Sequence, residues 1–451
     1  MNLQRTLFIF LLCLTGLFLT VPALGGDNLW KAGCARTIIT PKEPMWMAGF
    51  AARTAPSEGT LADLWAKALT LEDAEGNRAV LVTADILGFP KDLSDDIRDY
   101  VRRKYGLDRS RIILSASHTH SGPVLGDALY FIYPMKEADR KIVRRYTSQF
   151  KNQIVNLIDA SMQQLEPVRI ETGMGQVNFA VNRRNNKERA LTPTTELKGP
   201  YDHAVPVLKI ERPDGTLKTI IFGYSCHPTV LSGQLFSGDY AGFAQTEIEK
   251  LHPGVQAMFF QGTGADQNPL PRHKVSLAVQ YGKQLAASVK QVLSEDMVPQ
   301  ESRLRTHYAE IELPLDEPIS RKQLEKLATG NTYESRWAQG VLGRGEKVVP
   351  PLKAYPYPIS VWTIGAQRLV ALGGEVVSGY SIRLKQLYGN DLFVMGYAND
   401  VMNYIPTTVI WDEGGYEGMT ASRVYALPAR WTRDVEERII GVVERLLENT
   451  E

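Results

Sequence analysis

Cysteine is scarce in this chain: Cys13, Cys34 and Cys226 are the only three among 451 residues. That scarcity excludes a disulfide-rich scaffold and the cysteine-built type of structural zinc site. A surplus of one charge is also missing. The formal net charge is +1, which leaves no excess of cations to neutralise phosphates, so no nucleic-acid partner is expected. Long apolar runs are absent after the first, Thr6 to Val21, and the rest of the chain reads as soluble. Internal repeats, low-complexity linkers, paired glutamates, a Ser-His-Asp motif and a phosphate-cradling glycine loop are lacking too. What is left is a globular composition, with 44% hydrophobic residues to build a core and 22% charged residues to keep it in solution.

The early apolar run has the pattern of an export signal. Arg5 closes a short polar start, and Ala23-Leu24-Gly25 supplies the small residues that a signal peptidase reads. The expectation is a signal peptide over residues 1–25, cleaved near Gly25, and a secreted or periplasmic protein. Retention as a membrane anchor is the alternative, because the run is about long enough to span a bilayer. With Cys13 in the signal, Cys34 and Cys226 are left to form one disulfide or to stay as two buried thiols; spacing leaves both open.

Strand and helix patterns alternate along the remainder. Leu64 to Leu71 and Ala79 to Ala84 flank a turn at residues 73–77, and Val205 to Glu211 and Leu217 to Tyr224 flank Pro213-Asp214-Gly215. Both pairs predict hairpins. Ile359 to Ile364 with Arg368 to Leu372 predicts a third. Helical spacing of apolar residues marks Asp92 to Tyr105, Glu137 to Leu165, Asp239 to Leu251, His273 to Leu293 and Thr432 to Leu447. Short buried strands are expected at 111–116, 255–260 and 392–396. Arg183 to Pro200 and Gly340 to Pro358 read as long loops, which tend to be functional in a compact domain. Hairpins together with crossover helices imply an α/β fold with mixed β-sheets flanked by helices. Length alone suggests about two or three domains.

Chemistry is densest at Ser115-Ala-Ser-His118-Thr-His120-Ser-Gly-Pro123. In a strand, positions two apart face the same side, so both imidazoles could reach one ion or one substrate. The pair alone fits either a metal site or hydrogen-bonded histidines at a strand end. His227 likewise ends a hairpin strand, before Pro228, where a lone histidine is commonly structural. Glu375 follows Gly373-Gly374 at an expected strand-to-helix turn, where simple capping would also explain a carboxylate. Tyr404 and Tyr416 lie in a polar, aromatic loop with no local mark of function.

The ordered segments Lys31-Ala-Gly-Cys-Ala-Arg-Thr-Ile-Ile-Thr40, Ser117-His-Thr-His-Ser-Gly-Pro123, Val181-Asn182-Arg183, His227-Pro-Thr229, Ser237-Gly-Asp239, Gly373-Gly-Glu375 and Ala398-Asn399 followed by Tyr404 add a different kind of information. Together they resemble the neutral ceramidases, zinc amidases that cleave the N-acyl bond of ceramide. The resemblance covers most of residues 30–425, and its histidine motif is the most specific part. It implies an α/β/β/α sandwich over residues 27–451, without the family's C-terminal immunoglobulin-like domain. It implies zinc held by His118, His227, Glu375 and Tyr404. It also implies that His120 lies beside the metal, in contact with substrate or the reacting group, and that Arg183 and Tyr416 are active-site residues. One departure stands out. The family's Gly-Asp-x-Ser-Pro-Asn segment corresponds to Gly264-Ala-Asp-Gln-Asn-Pro269, which puts Asn268 where a catalytic serine is assigned. An amide can donate to an oxyanion but cannot act as a serine nucleophile.

The function expected is an exported zinc-dependent hydrolase of an N-acyl amide, ceramide-like, acting on a small-molecule or lipid substrate. A related metallohydrolase of another amide, an ester or a glycoside is the alternative, and a ligand-binding protein without turnover is a weaker one. Peripheral membrane contact and oligomeric state stay open.

Overall fold

Central strands here carry continuous apolar runs because both faces of their sheet are covered. The chain is described over residues 29–192 and 194–449 in a computed structural model, so the expected signal at residues 1–25, with Cys13, lies outside the described residues. A nine-stranded sheet runs in the order Gln256–Gln261, Leu217–Tyr224, Ala204–Glu211, Glu166–Gln176, Trp30–Ile38, Trp65–Glu72, Arg78–Ala84 and Ile112–Ala116, with Val298–Gln300 added beside Glu166–Gln176. A four-stranded sheet follows the order Leu304–Pro314, Ala354–Ile364, Gln367–Leu372 and Phe393–Met395.

Period-two alternation assigns each strand's side chains to two different cores. From Arg78–Ala84, Val80 and Val82 pack with residues of the helices Lys91–Tyr105 and Glu137–Gln163. Ala79 and Leu81 of the same strand face Trp362, Leu369 and Phe393 of the smaller sheet. The larger sheet carries a second helical cover, Asp239–Leu251 and Val275–Leu293. Gly379–Tyr388 and Val435–Glu448 cover the smaller sheet's outer face. Helices, two sheets and helices are therefore stacked in turn, the mixed α/β/β/α sandwich that was expected.

Antiparallel pairs make up most of both sheets, but three pairs are parallel and fix where the site lies. Each joins strands linked by a crossover helix: Arg78–Ala84 with Ile112–Ala116, Leu217–Tyr224 with Gln256–Gln261, and Gln367–Leu372 with Phe393–Met395. Crevices at the carboxyl ends of such strands are where α/β folds collect ligand-binding residues. His118, His227 and Glu375 each follow one of these strands.

Several boundaries differ from the sequence reading. The segment Gly340 to Pro358 is not one loop. A helix, Tyr333–Val341, ends within it, and the strand expected from Ile359 already begins at Ala354. Pro356 and Pro358 are tolerated because Ala354–Ile364 pairs on its other side, with Gln367–Leu372, only from Ile359 onward. Leu304–Pro314 escaped detection because most of it is only half-buried and its apolar pattern is weak. Cys34 and Cys226 are both free thiols, Cys34 lying 2.8 Å from the Thr219 hydroxyl and Cys226 buried in the helical core. No helix among the described residues is long and apolar enough to cross a membrane.

A clasp joins the sheets beside the site. Ser115 and Ala398 form an isolated bridge, the Asn399 amide donates to Leu114 O at 2.7 Å, and the Leu114 amide donates to Asn399 Oδ1 at 3.0 Å. Asn399 takes φ 65°, a left-handed conformation that asparagine tolerates better than most residues. Asn399→Ala should therefore orphan a buried amide and strain the backbone together. The expected loss is about 2–4 kcal/mol of stability in chemical denaturation. A loss below about 1 kcal/mol, within the range of an ordinary surface change, would argue against the clasp.

Candidate metal centre

His118 and His120 do converge, but not by the route their spacing suggested. The strand stops at Ala116, the Ser117 amide donates to Ala84 O at 2.9 Å, and His118 itself adopts φ 62°. That left-handed turn, rather than strand alternation, swings the two rings together. Such non-glycine conformations persist only where surrounding contacts enforce them, and they gather at functional sites. His120 is steadied by its amide donating to Pro228 O at 3.2 Å and by edge contact with Phe50 at 4.9 Å between centroids. Gly49 passes directly under its ring: a Cβ there would fall 2.4 Å from the imidazole.

Two backbone carbonyls decide the tautomers. Nδ1 of His118 lies 2.6 Å from Leu87 O, and Nδ1 of His227 lies 2.9 Å from Gly264 O. A carbonyl only accepts, so each Nδ1 carries the proton and each Nε2 presents a lone pair. These lone pairs face a carboxylate, a third imidazole and a hydroxyl. Glu375 Oε2 lies 3.2 Å from His118 Nε2 and 3.1 Å from His227 Nε2. His120 Nε2 is 3.3 Å from His118 Nε2, and the Tyr404 hydroxyl is 3.4 Å from His227 Nε2. The three imidazoles offer ligand atoms that all lie within 4.8 Å of one another, a cluster able to hold a metal ion.

Electrostatics agree with the geometry. Burial pushes the His227 pKa down to about 4 against the pull of Glu375, and burial with the neighbouring His118 and His227 holds His120 well below its ordinary value. Burial alone would raise the Glu375 carboxyl. His118 and His227 outweigh it and keep the group well below the usual carboxylate range. At neutral pH the Glu375 carboxylate therefore lies beside the neutral rings of His120 and His227. Converging acceptors buried without a cation are costly. A metal ion, with nitrogen and oxygen ligands, fits them.

Glu375 is not a helix cap. Glu375–Val376 forms a short parallel ladder with Tyr404–Ile405, with Glu375 opposite Tyr404, and the helix starts only at Gly379. Gly374 has φ 74°, and a Cβ there would fall 2.8 Å from Asn403 O, so a glycine is required before Glu375. The indole of Trp431 donates to Tyr404 O at 2.7 Å and secures the other side.

Arg183 bridges the cluster to an open cleft. Its Nη2 donates to the Tyr404 hydroxyl at 3.2 Å and its Nε to Glu417 at 2.8 Å. The Tyr416 ring lies 5.1 Å from that of Tyr404, centroid to centroid. Arg183, Tyr416 and Asn268 line the same cleft, of about 680 Å³. Asn268 Oδ1 is buried and has no hydrogen-bond partner among the described residues. Its neighbours are committed elsewhere: Asp266 bonds Asn182 and Ser378, and Gln267 donates to Ser225 O. Asn268 is thus the member of this segment left with an oxygen facing no partner. Every residue anticipated from sequence belongs to the cluster or to the cleft beside it.

Other residues were missed. The Tyr397 ring lies tilted against His118 at 4.3 Å between centroids, Tyr425 donates to Glu375 Oε1, and the buried Arg53 donates to His120 O at 2.8 Å. Tyr397 stands next to Ala398-Asn399 and could have been noticed there. Arg53 and Tyr425 carry no local signal, because only the folded chain brings them to the site.

Residues 30–300 match the family described as neutral/alkaline non-lysosomal ceramidase, N-terminal. The chain belongs to that family. Among its relatives, the neutral ceramidase of Pseudomonas aeruginosa is 26% identical over 270 residues, 56% of this chain and 39% of that protein. Neutral ceramidase A of Dictyostelium discoideum is 28% identical over 257 residues, 53% of this chain and 34% of that protein. The matched part thus spans well under half of either relative. In three dimensions the likeness reaches further. The solved neutral ceramidase of Pseudomonas aeruginosa superposes with a TM-score of 0.70 at 20% identity, covering 92% of this chain and 73% of that one. A ceramidase complexed with C2 gives 0.69 at 19%, covering 93% and 76%. These neighbours establish the ceramidase fold.

Proposed function

We propose that the chain is an exported zinc-dependent amidohydrolase that cleaves the N-acyl amide of ceramide or a ceramide-like lipid. The observation that carries this reading is the convergence of His118 Nε2, His227 Nε2 and Glu375 Oε2, three acceptors at contact distances that a cation between them would reconcile. Family membership and relatives named neutral ceramidases support the substrate class. In this reading His118, His227, Glu375 and Tyr404 hold zinc. Once bound, zinc supplies a Lewis acid for the amide carbonyl and lowers the pKa of a water toward ~7.

The remaining steps belong to the protein. His120 has a buried Nδ1 with no partner among the described residues, and burial keeps its ring neutral, which leaves one nitrogen lone pair free. It takes a proton from the attacking water and returns it to the departing amine nitrogen. Arg183 stays cationic: burial opposes its charge, but Tyr404 and Glu417 hold its pKa well above the ordinary value. Beside the Asn268 amide it can stabilise the oxyanion. Asn268 rules out a serine nucleophile at that position, and this specific difference favours the second reading, hydrolysis of another amide, an ester or a glycoside.

The test is product analysis of the purified protein with zinc and a panel of N-acyl lipids that includes ceramide. Fatty acid and sphingoid base should appear, stop with a chelator and return with zinc. Zinc bound without ceramide turnover would overturn the ceramidase reading and favour the second. Export is read from the mature N-terminus, expected near residue 26; Met1 retained on membrane-bound protein would favour the anchor.

A further inference from the structure

Glu375 uses its two carboxylate oxygens differently. Oε2 faces the Nε2 atoms of His118 and His227, whereas Oε1 receives a hydrogen bond from the Tyr425 hydroxyl. The backbone of Glu375 is pinned, its amide donating to Asn403 O at 2.8 Å. The carboxylate is not pinned by the backbone, because the last torsion of a glutamate is broad and roughly two-fold. Without a donor on Oε1 the group could turn and present either oxygen, or both, to the histidines.

We propose that Tyr425 is a positioning residue for the metal centre, holding Glu375 with Oε2 toward His118 and His227. The proposal rests on the zinc reading above. Carboxylates that bind metals are usually hydrogen-bonded themselves, and such outer partners commonly set affinity. Tyr425 is well placed for this. It directly follows the short helix Ala421–Val424, and the next turn is held by the Trp337 indole donating to Leu427 O at 2.8 Å. Its ring is partly buried against the cores on both sides of the sandwich. It also lines a cavity of about 590 Å³ with Asp400 and Met402.

The experiment compares zinc affinity of the full chain and Tyr425→Phe by competition with a chromophoric chelator, a readout that needs no substrate. Tyr425→Phe should weaken zinc by roughly 10–100-fold while the melting temperature of the metal-free protein stays close to wild type. Turnover at limiting zinc should fall through kcat, with KM little changed. Glu375→Ala, which leaves no oxygen for Tyr425 to hold, gives the second leg. Once the carboxylate is gone, adding Tyr425→Phe should cost no further affinity, whereas a purely structural tyrosine would cost the same in both backgrounds. Equal affinity of wild type and Tyr425→Phe, or additive losses in the cycle, overturns the positioning role. Wild-type protein that binds no zinc overturns the metal reading itself, a result distinct from equal affinities.

Discussion

His118→Ala should abolish zinc retention and slow turnover by on the order of 10³-fold, the equivalent of several kcal/mol of lost transition-state stabilisation. The size follows from the arrangement. His118 is fully buried, its tautomer is set by Leu87 O, and its Nε2 lies 3.2 Å from Glu375 Oε2. Alanine removes one of two imidazoles whose lone pairs are fixed toward the cluster. His120→Ala should behave differently. Its Nδ1 lacks the carbonyl partner that fixes the other two rings, so it suits proton transfer rather than ligation. Zinc should stay bound in that variant while turnover drops. Metal content by elemental analysis beside turnover on one preparation separates the cases. Zinc and activity both intact in His118→Ala would sink the proposed site. Zinc lost equally from both variants would make His120 a ligand.

The second large effect is a pH dependence of stability centred on Asp400. Burial raises its carboxyl pKa to about 7, against the hydrogen bond from the Tyr355 hydroxyl at 2.8 Å. In the unfolded chain an aspartate titrates near ~3.9. Between those values the folded state keeps a proton that the unfolded state has lost. Stability therefore falls as pH rises from about 4 to about 7, by about 4 kcal/mol for three units, and levels off above. An asparagine side chain at this position would accept from Tyr355 in the same way and cannot ionise, so Asp400→Asn should gain on wild type across that window. Chemical denaturation at pH 4, 6 and 8 measures it. A difference that stays flat with pH would show that Asp400 ionises as freely folded as unfolded. The consequence reaches the site, because Asp400 O accepts from the Gly374 amide at 2.7 Å, immediately before Glu375.

Much of the fold was legible because local physics wrote it. Apolar runs of strand length, helical spacing ended by Gly106, and the Pro213-Asp214-Gly215 turn each stated an element without reference to anything distant. Leu304–Pro314 was not legible, since a half-buried strand with few apolar residues looks like a loop until a partner covers it. The site was legible in part. The histidines and Glu375 could be named from order and resemblance, yet the geometry expected of them was wrong. His118 turns through a left-handed backbone rather than lying on a strand, and Glu375 sits in a two-residue ladder rather than at a helix start.

The sequence by itself determined which side chains follow the buried strands, and so which ones could meet at a carboxyl-end crevice. Only the tertiary structure decided how they meet. Leu87 O and Gly264 O set the tautomers, Tyr425 takes one oxygen of Glu375, and Asn399 clasps the two sheets so that both contribute to one cluster. These contacts join residues far apart in the chain, and no local pattern encodes them. They depend on two sheets stacking face to face, which is a property of the whole buried core.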